Sequence, residues 1–558
     1  MMNVEMPVGV SDFKKLRTKY YFIDKTDFIR QFIDGHKDVT LFTRPRRFGK
    51  TLTLSMLDYF FSIDKKSESE SLFSNLAIDR AGQRYMKERG TYPVIFMTLK
   101  NFHNTSWDSM YRSIRLIIQK VYAQYLYLLN GDVLTPFEKE FMHRMLYLEG
   151  DLEEYQYSLQ WLTGALYKYH HVAPFIFIDE YDAPLQNAYE FHFYDEAIPF
   201  WKGWFNAALK DNETLNAAML TGVLRIAKES IFSGLNNLSV YSTLTDTYST
   251  LFGFTSQEIQ YMAQDLGHMD KLDEIRHWYD GYTFGHSEIY NPWSVICYFD
   301  AHCKPAPYWV NTSNNSILQT LLQQANASRI QALQELMDGK SIRTLIDEGV
   351  LYSDISHSDT ALYSMLLNTG YLKAIHQEHT ASGIELYDVM IPNEEIKRVY
   401  KREILDNIAT DLPINLLMDF QTALLRGNGK VVHEKLSEIL LKMVSFYDTR
   451  STESFYHGLL LGMTCLLEGS LYHVVSNRES GYGRFDLAIF PVSPQNSGVI
   501  MEFKVAKTES ELPIKAKEAL QQITTKKYIT EFQKQGVQTI WQYGIAFCGK
   551  NVTVIQDA

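Results

Sequence analysis

The chain has 558 residues, 46% of them hydrophobic and 22% charged, and its net charge is −12. This length exceeds one hydrophobic core, so we expect about three or four domains. The acidic balance argues against a nucleic-acid-binding coat along the whole chain. No apolar run approaches the ~18 residues of a membrane-spanning helix, and the start lacks the apolar stretch of a signal peptide. The four cysteines form no CxxC pair, which indicates reduced thiols. We therefore expect a cytoplasmic protein with no membrane contact.

The first informative stretch is residues 39–62, VTLFTRPRRFGKTLTLSMLDYFFS. A strand is predicted over 39–43, then a loop ending in Gly49-Lys50-Thr51, then a helix from Leu52. A strand, a loop with GK[ST] and a helix form the layout of a phosphate-binding P-loop. N–H groups at the helix start attract an anion, Lys50 can reach the β- and γ-phosphates, and the Thr51 hydroxyl can ligate Mg²⁺.

This loop departs from the usual GxxxxGK[ST] pattern at its first position, which is Arg44. Its first turn therefore cannot depend on the positive φ of glycine. The alternative interpretation is a basic turn before an ordinary amphipathic helix. On the P-loop interpretation, the residues around the phosphates are Arg46, Arg47, Phe48, Gly49, Lys50, Thr51 and Leu52.

A later strand is predicted to end at the same site. After a strand at 94–99 and helices over 107–170, Phe175–Ile178 form a buried strand followed by Asp179 and Glu180. Open α/β sheets bind ligands where their strands end, so Asp179 would hold Mg²⁺ through water and Glu180 would polarise the attacking water. A core strand with an acidic exit is the alternative, but the upstream GKT favours one shared site.

A fourth strand is predicted over 217–222. Thr221 at its end is suited to sensing the γ-phosphate. Arg225 and Lys228 follow as candidates for reading charge in the same cleft. A solvated helix start is the alternative for both cations, and it suits Lys228 better than Arg225.

Several segments together resemble a bacterial family of predicted AAA-ATPase-like proteins: YFIDKTDFI, TRPRRFGKT, FIFIDEYDAPL, TGVLRIAKESIFSGLNNL, WYDGYTFG and YNPWS. The resemblance covers nearly the whole chain, and in that family a basic-proline start to the P-loop is usual. It implies an α/β fold with a P-loop NTPase parallel sheet (ASCE/AAA-like), ATP as ligand and a PD-(D/E)XK nuclease domain at the C-terminus.

The expected domain order follows. Residues 1–240 form the P-loop domain, 241–400 a helical lid or winged-helix-like region, 401–450 a helical connector, and 451–558 the nuclease-like domain. A helix is predicted to open at Glu394 after Ile391-Pro392-Asn393, and a break at Gly427-Asn428-Gly429.

The C-terminal region predicts strands at 471–476, 484–490 and 499–504, a helix at 514–533, and strands at 539–547 and 552–555. Preceded by a helix at 455–468, this order resembles the core of PD-(D/E)XK nucleases. The turn at 493–498 has the length and composition of a hairpin.

Three charged residues lie at the spacing that metal-assisted phosphodiester cleavage needs. Asp486 is on one hairpin strand, while Glu502 and Lys504 are two apart on its partner and so share a face. The two carboxylates can hold a hard divalent cation, and Lys504 would orient water or neutralise developing charge. Further candidates are Gln521, Gln522 and Tyr528 on the following helix, while Glu453 and His457 stay unassigned.

The sequence thus predicts an ATP-binding and ATP-hydrolysing protein coupled to a metal-dependent nuclease that acts on nucleic acid, with DNA the first expectation. Its cofactors would be ATP and Mg²⁺, with Mn²⁺ as an alternative at the nuclease site. One rival is a nucleotide-dependent switch whose nuclease fold binds nucleic acid without cleaving it. Another is an interaction protein whose ATP site is structural. Homo-oligomerisation stays open.

Overall fold

The computed structural model describes residues 5–225, 236–309, 318, 327–350, 354, 358–379, 384–409, 413–443, 453–464, 467, 471–480 and 483–557. The chain divides into two compact units, and each combines two segments of sequence. The first unit comprises Met1–Ser313 and Arg343–Ile396, and the second comprises Asn314–Ile342 and Lys397–Ala558.

The first unit is built on a parallel five-stranded sheet with the order β2-β3-β4-β1-β5. Its strands are β1 (Val39–Thr43), β2 (Val94–Thr98), β3 (Phe175–Asp179), β4 (Ala217–Gly222) and β5 (Leu238–Tyr241). All residues of β1, β3 and β4 are buried, as expected for parallel strands covered on both faces. The predicted parallel α/β sheet is confirmed, and β5 is an additional strand that the sequence analysis did not identify.

Helices cover this sheet, and an all-helical segment separates β2 from β3. They are α1 (Phe13–Lys19), α2 (Asp27–Gly35), α3 (Lys50–Phe61), α4 (Lys66–Phe73), α5 (Ala77–Arg80), α6 (Gln83–Met86), α7 (Trp107–Tyr122), α8 (Pro136–Tyr147), α9 (Leu152–His170), α10 (Ala183–Glu190) and α11 (Tyr194–Leu209). Capping boxes begin α8 and α9, which explains why these polar starts form helices.

The region predicted as a lid lies largely within this first unit, and it contains strands as well as helices. Its helices are α12 (Ser256–Leu266), α13 (Leu272–Tyr279) and α14 (Pro292–Asp300). A small sheet consists of β6 (Phe254–Thr255), β7 (Tyr282–Phe284) and β8 (Ser287–Tyr290), in the order β6-β8-β7. A second has the order β10-β11-β9, from β9 (Ile342–Leu345), β10 (Lys373–His379) and β11 (Glu385–Met390).

Two helices of the second unit interrupt or follow the lid region in sequence. They are α15 (Ala327–Met337) and α17 (Glu394–Ala409). Helix α17 begins at the predicted Glu394, and its first three residues belong to the first unit. Helix α16 (Asp359–Thr369) lies between the two in sequence and belongs to the first unit. The helices α18 (Ile414–Leu425), α19 (Gly429–Met443) and α20 (Glu453–Thr464) follow, and the predicted break at 427–429 separates α18 from α19.

The second unit contains a mixed sheet with the order β12-β13-β14-β15-β16. Its strands are β12 (Tyr472–Ser480), β13 (Gly483–Pro491), β14 (Gly498–Val505), β15 (Ile540–Cys548) and β16 (Asn551–Asp557). Only β14 and β15 run parallel, joined by α21 (Leu512–Thr525) and α22 (Thr530–Lys534). The predicted order of strands and helices is confirmed.

The predicted single helix over 514–533 is wrong in one respect, because it ends at Thr525 and restarts at Thr530. Lys527 adopts a left-handed φ of 55°, which cannot continue a right-handed helix. The break carries Tyr528 into the core, where its ring lies 6.1 Å from that of Phe485. Burial of this ring compensates for the interrupted helix.

The predicted connector, 401–450, packs into the second unit. Buried apolar residues of α18 and α19 share one core with the inner face of the sheet, including Phe420, Leu436, Ile489, Met501 and Phe547. The side chain of Tyr543 on β15 donates a 2.9 Å hydrogen bond to the Leu424 carbonyl. Across the described residues, no helix is both long and apolar enough to span a membrane.

Candidate functional site

The loop between β1 and α3 has a backbone suited to receive an anion. Gly49 has a φ of 83° and caps α3, which begins at Lys50. Arg47 is the other loop residue with a positive φ, 70°. The first turn of any helix leaves N–H groups without intrahelical partners, and the helix dipole makes that end electropositive. Lys50, Thr51 and Leu52 occupy this first turn.

Arg44, which replaces the usual glycine, stabilises the loop by its side chain. The side chain is fully buried, and Nη1 donates to the carbonyls of Thr43 (2.9 Å) and Tyr241 (2.8 Å). The guanidinium carbon lies 5.2 Å and 5.0 Å from the ring centroids of Phe252 and Phe284. Burial lowers the pKa of Arg44 to about 9, so it stays charged at neutral pH and acts as a cation between two aromatic faces.

Lys50 is buried against the loop that it closes. Its Nζ donates to the carbonyls of Arg44 (2.8 Å) and Pro45 (2.9 Å). Burial lowers the pKa of Lys50, and the carboxylates of Glu180 and Asp182 act in the opposite direction. A buried ammonium at the mouth of a helix start is a ready counter-charge for phosphate oxygens.

Asp179 brings three strands and the helix α3 together. Its Oδ2 accepts a 2.7 Å hydrogen bond from Thr51 Oγ1, and its Oδ1 accepts a 2.8 Å bond from Thr221 Oγ1. Thr98 Oγ1, at the end of β2, lies 3.4 Å from Oδ2. The two halves of the predicted site, residues 49–51 and 179–180, are therefore adjacent at the ends of parallel strands.

Glu180 follows Asp179 with a left-handed φ of 53°, which turns the chain sharply at the strand end. Its side chain is half-buried. Burial raises the pKa of Glu180, and Lys50 is the main opposing influence. A carboxylate beside a lysine at this position is available to accept a proton from water.

Asp182 is a residue that the sequence analysis missed. It is buried, and its Oδ2 accepts hydrogen bonds from the backbone N–H groups of Val223 and Leu224, both at 2.9 Å. Asp182 thereby fixes the turn after β4, in which Arg225 is half-buried. The signal in the sequence was a second acidic residue shortly after Asp179-Glu180.

The side chains of the remaining loop residues differ in burial and in their contacts. Phe48 is buried, with its ring 5.0 Å from Tyr282 and 5.1 Å from Phe284, so its side chain is a packing group. Arg46 Nη2 donates to Gln186 Oε1 at 3.4 Å. Arg47 is exposed. Lys228 lies outside the described residues, as do the side chains of Glu453 and His457.

In the second unit, the antiparallel register of β13 and β14 places Asp486 opposite Glu502. The backbone N–H of Phe503 donates to Asp486 Oδ2 at 2.7 Å, and that of Asp486 lies 3.4 Å from Glu502 Oε2. Lys504 Nζ lies 3.8 Å from Glu502 Oε1. Glu502 is only 2% exposed, whereas Lys504 is 29% exposed. The three predicted residues are therefore adjacent, with the lysine toward solvent.

Helix α21 supports this group from one side. Gln522 donates a hydrogen bond to Glu502 Oε1, and its Nε2 also lies 3.4 Å from the hydroxyl of Tyr528. The helix approaches closely because Gly544 pairs with Glu502 in the parallel ladder, and a Cβ there would lie 2.2 Å from the carbonyl oxygen of Ala516. Gln521 is exposed.

The oxygen ligands at both places fit a hard divalent cation. The site in each unit offers carboxylate oxygens, and the site in the first unit also offers the Thr51 hydroxyl. Among the described residues, no three His, Cys, Asp or Glu side chains converge on a metal position.

The fold and these residues define a P-loop ATPase-like unit and a mixed-sheet unit with a carboxylate pair and lysine. Residues 7–232 match the family model described as Predicted AAA-ATPase, and residues 451–557 match the PD-(D/E)XK nuclease superfamily. The chain therefore combines an AAA-ATPase-like domain with a C-terminal domain of the PD-(D/E)XK nuclease superfamily. It is also 25% identical, over all of its length and 98% of the relative's, to an "Uncharacterized protein in vnfD 5'region" of Azotobacter chroococcum mcd 1.

Proposed function

We propose that the protein binds and hydrolyses ATP in its first unit and cleaves nucleic acid in its second, each reaction requiring a divalent cation. The observation that supports the first activity most directly is the hydrogen bond from Thr51 to Asp179. It joins the two motifs that an ATPase needs at one metal-binding point. The second activity rests on Asp486 and Glu502, which lie opposite each other.

In the ATPase unit, each residue has a separate task. Lys50 and the N–H groups of the first turn of α3 hold the phosphates. Thr51 and Asp179 would hold Mg²⁺, which neutralises phosphate charge when bound. Thr221 keeps Asp179 oriented through their 2.8 Å hydrogen bond. Glu180 accepts a hydrogen bond from the attacking water and draws its proton.

In the nuclease unit, Asp486 and Glu502 would hold the divalent cation, which when bound would supply Lewis-acid stabilisation of phosphate charge and activation of water. Gln522 and the N–H of Phe503 fix the orientation of the two carboxylates. Lys504, which is more exposed than Glu502, neutralises charge on the phosphate as the bond breaks.

The test uses the purified full-length protein. Phosphate release is measured with ATP, and cleavage is followed on single-stranded and double-stranded DNA and on RNA, each with Mg²⁺, Mn²⁺ or a chelator. We expect both activities to require the cation. Absence of cleavage on every substrate, together with measurable nucleic-acid binding, would support the binding-only rival. Absence of phosphate release despite ATP binding would support a structural nucleotide site.

A further inference from the structure

Every residue from Arg44 to Phe48 is contacted by a residue between 250 and 371 of the same unit. Arg44 lies between two phenylalanine rings and Phe48 packs on Tyr282. Pro45 fits beside Gly370, where a Cβ would approach the Pro45 Cβ at 3.0 Å. The side chains of Arg44, Pro45 and Phe48, which a glycine-rich loop would lack, therefore contact the lid region.

Two tryptophans contact the two central arginines of the loop. Trp309 is 1% exposed, and its Nε1 donates to the carbonyl of Arg46 at 3.3 Å. The guanidinium carbon of Arg47 lies 4.2 Å from the centroid of the Trp293 ring, the closest of the cation–ring contacts among the described residues. One indole thus holds the backbone of the loop, and the other holds a side chain.

A single buried carboxylate fixes both tryptophans. Glu395 is fully buried, and its Oε1 accepts a 2.9 Å hydrogen bond from the backbone N–H of Trp309. Ser294 Oγ lies 3.0 Å and 2.8 Å from its two oxygens. Ser294 follows Trp293 in the first turn of α14, so Glu395 orients the turn that carries the indole.

Arg47 is placed to meet a phosphate. Its side chain is exposed. Partial burial against the surrounding protein lowers the pKa of Arg47, and the charge of Glu180 acts in the opposite direction, so the two groups are within electrostatic range. A guanidinium stacked on an indole keeps its N–H edge available, and that planar edge matches two phosphate oxygens. Since Glu180 is assigned to the water that attacks the terminal phosphate, we expect that phosphate to be the one nearest to Arg47.

We propose that Trp293, Trp309 and Glu395 are positioning residues that present Arg47 to the terminal phosphate of a nucleoside triphosphate. The lid, and not the loop alone, then sets the preference for triphosphate over diphosphate. This inference rests on the proposed nucleotide binding. It also explains why the loop reads RPRRF, because four of these five side chains contact the lid region, and Arg46 contacts it through its backbone carbonyl.

The experiment measures the dissociation constants of the full-length protein for a non-hydrolysable ATP analogue and for ADP, each with Mg²⁺, by calorimetry. Trp293→Leu is expected to weaken binding of the triphosphate about tenfold, the size of one well-placed charged contact, and to leave ADP within about twofold. Trp293→Tyr is expected to restore the preference, because a tyrosine ring also attracts a cation. Trp107→Leu is the matched control, since Trp107 stacks on Tyr111 at 5.7 Å.

Two further variants address the rest of the network. Trp309→Phe keeps the ring and removes the donor to Arg46, and Glu395→Gln keeps the shape and removes the charge. Both are expected to reduce the preference for triphosphate in the same direction as Trp293→Leu. If Trp293→Leu does not fold, Arg47→Lys replaces it, because lysine keeps the charge and loses the planar edge.

The outcomes are distinguishable. A wild-type protein that binds neither nucleotide overturns the proposed ATP site and this inference with it. A wild type that binds both, with an unchanged ratio of affinities in Trp293→Leu and in Arg47→Lys, overturns the inference alone. Equal weakening of ADP and of the triphosphate in Trp293→Leu also overturns it, because Trp293 would then only support the fold of the site.

Discussion

Replacement of Glu180 by glutamine tests the assignment of the water-activating group. The side chain is half-buried directly after Asp179, and glutamine has nearly the same shape but replaces one accepting oxygen with a donating amide nitrogen. The left-handed backbone at this position, with a φ of 53°, constrains both residues alike. We therefore expect an intact fold, retained ATP binding and a loss of hydrolysis.

The expected loss of rate follows from the proposed role of Glu180 as a general base. A positioned general base contributes roughly 10²–10⁴-fold to a rate, so kcat for ATP should fall by about that factor. Because burial raises the pKa of Glu180 above the ordinary glutamate value of 4.5, its charged form is lost at a higher pH than usual. The wild-type rate should decline on acidification through this raised pKa, and that decline should disappear in the variant.

The assay is steady-state phosphate release across pH, with ATP affinity measured separately. Glu190→Gln is the control, since Glu190 is exposed at the end of the adjacent helix α10 and its loss should leave both quantities unchanged. Equal rates in wild type and Glu180→Gln would refute the assignment and leave Glu180 as an acidic exit from a core strand.

Three other expectations concern nucleotide binding, cleavage and stability. Lys50→Ala should abolish tight ATP binding while thermal unfolding stays cooperative; unchanged affinity by calorimetry would remove the P-loop assignment. Glu502→Gln should weaken binding of the divalent cation and eliminate cleavage, whereas Lys504→Ala should keep the cation and lose about 10²–10³-fold in rate. ATP hydrolysis should stay measurable in both, and cleavage that survives both changes would place the nuclease site elsewhere. Phe420→Ala, fully buried in α18, should destabilise the second unit by about 3–5 kcal/mol in denaturant unfolding. Met418→Ala, at a 57% exposed position of that helix, is its control, and equal midpoints for the two variants would contradict the shared core.

The arrangement of the first unit was largely readable from local pattern. Runs of apolar and strand-forming residues predicted β1, β3 and β4, because parallel strands covered on both faces are buried along their whole length. Strand β5 escaped prediction because its four residues are only half-buried and carry a mixed pattern. Asp182 escaped because its partners, two backbone N–H groups, leave no signature in side-chain identity.

Arg44 shows the limit of motif reading. The sequence showed that Arg44 stands where glycine is usual, but it did not show how Arg44 stabilises the loop. The partners of Arg44 are carbonyls and rings up to 240 residues away, including Phe284. The same holds for Glu395, whose hydrogen bonds reach Ser294 and Trp309 across 101 and 86 residues. No periodicity links positions so distant in the chain.

For this protein, the sequence by itself determined strands β1 to β4, the strands of the C-terminal sheet, the loop with Gly49-Lys50-Thr51 and the carboxylate–lysine spacing, because these depend on neighbours a few residues apart. The tertiary structure decided which of these side chains meet. It placed Thr51 against Asp179, and Gln522 against Glu502 through the close approach permitted at Gly544. Such contacts depend on strand order and helix packing, which arise only when distant segments bury their apolar faces together.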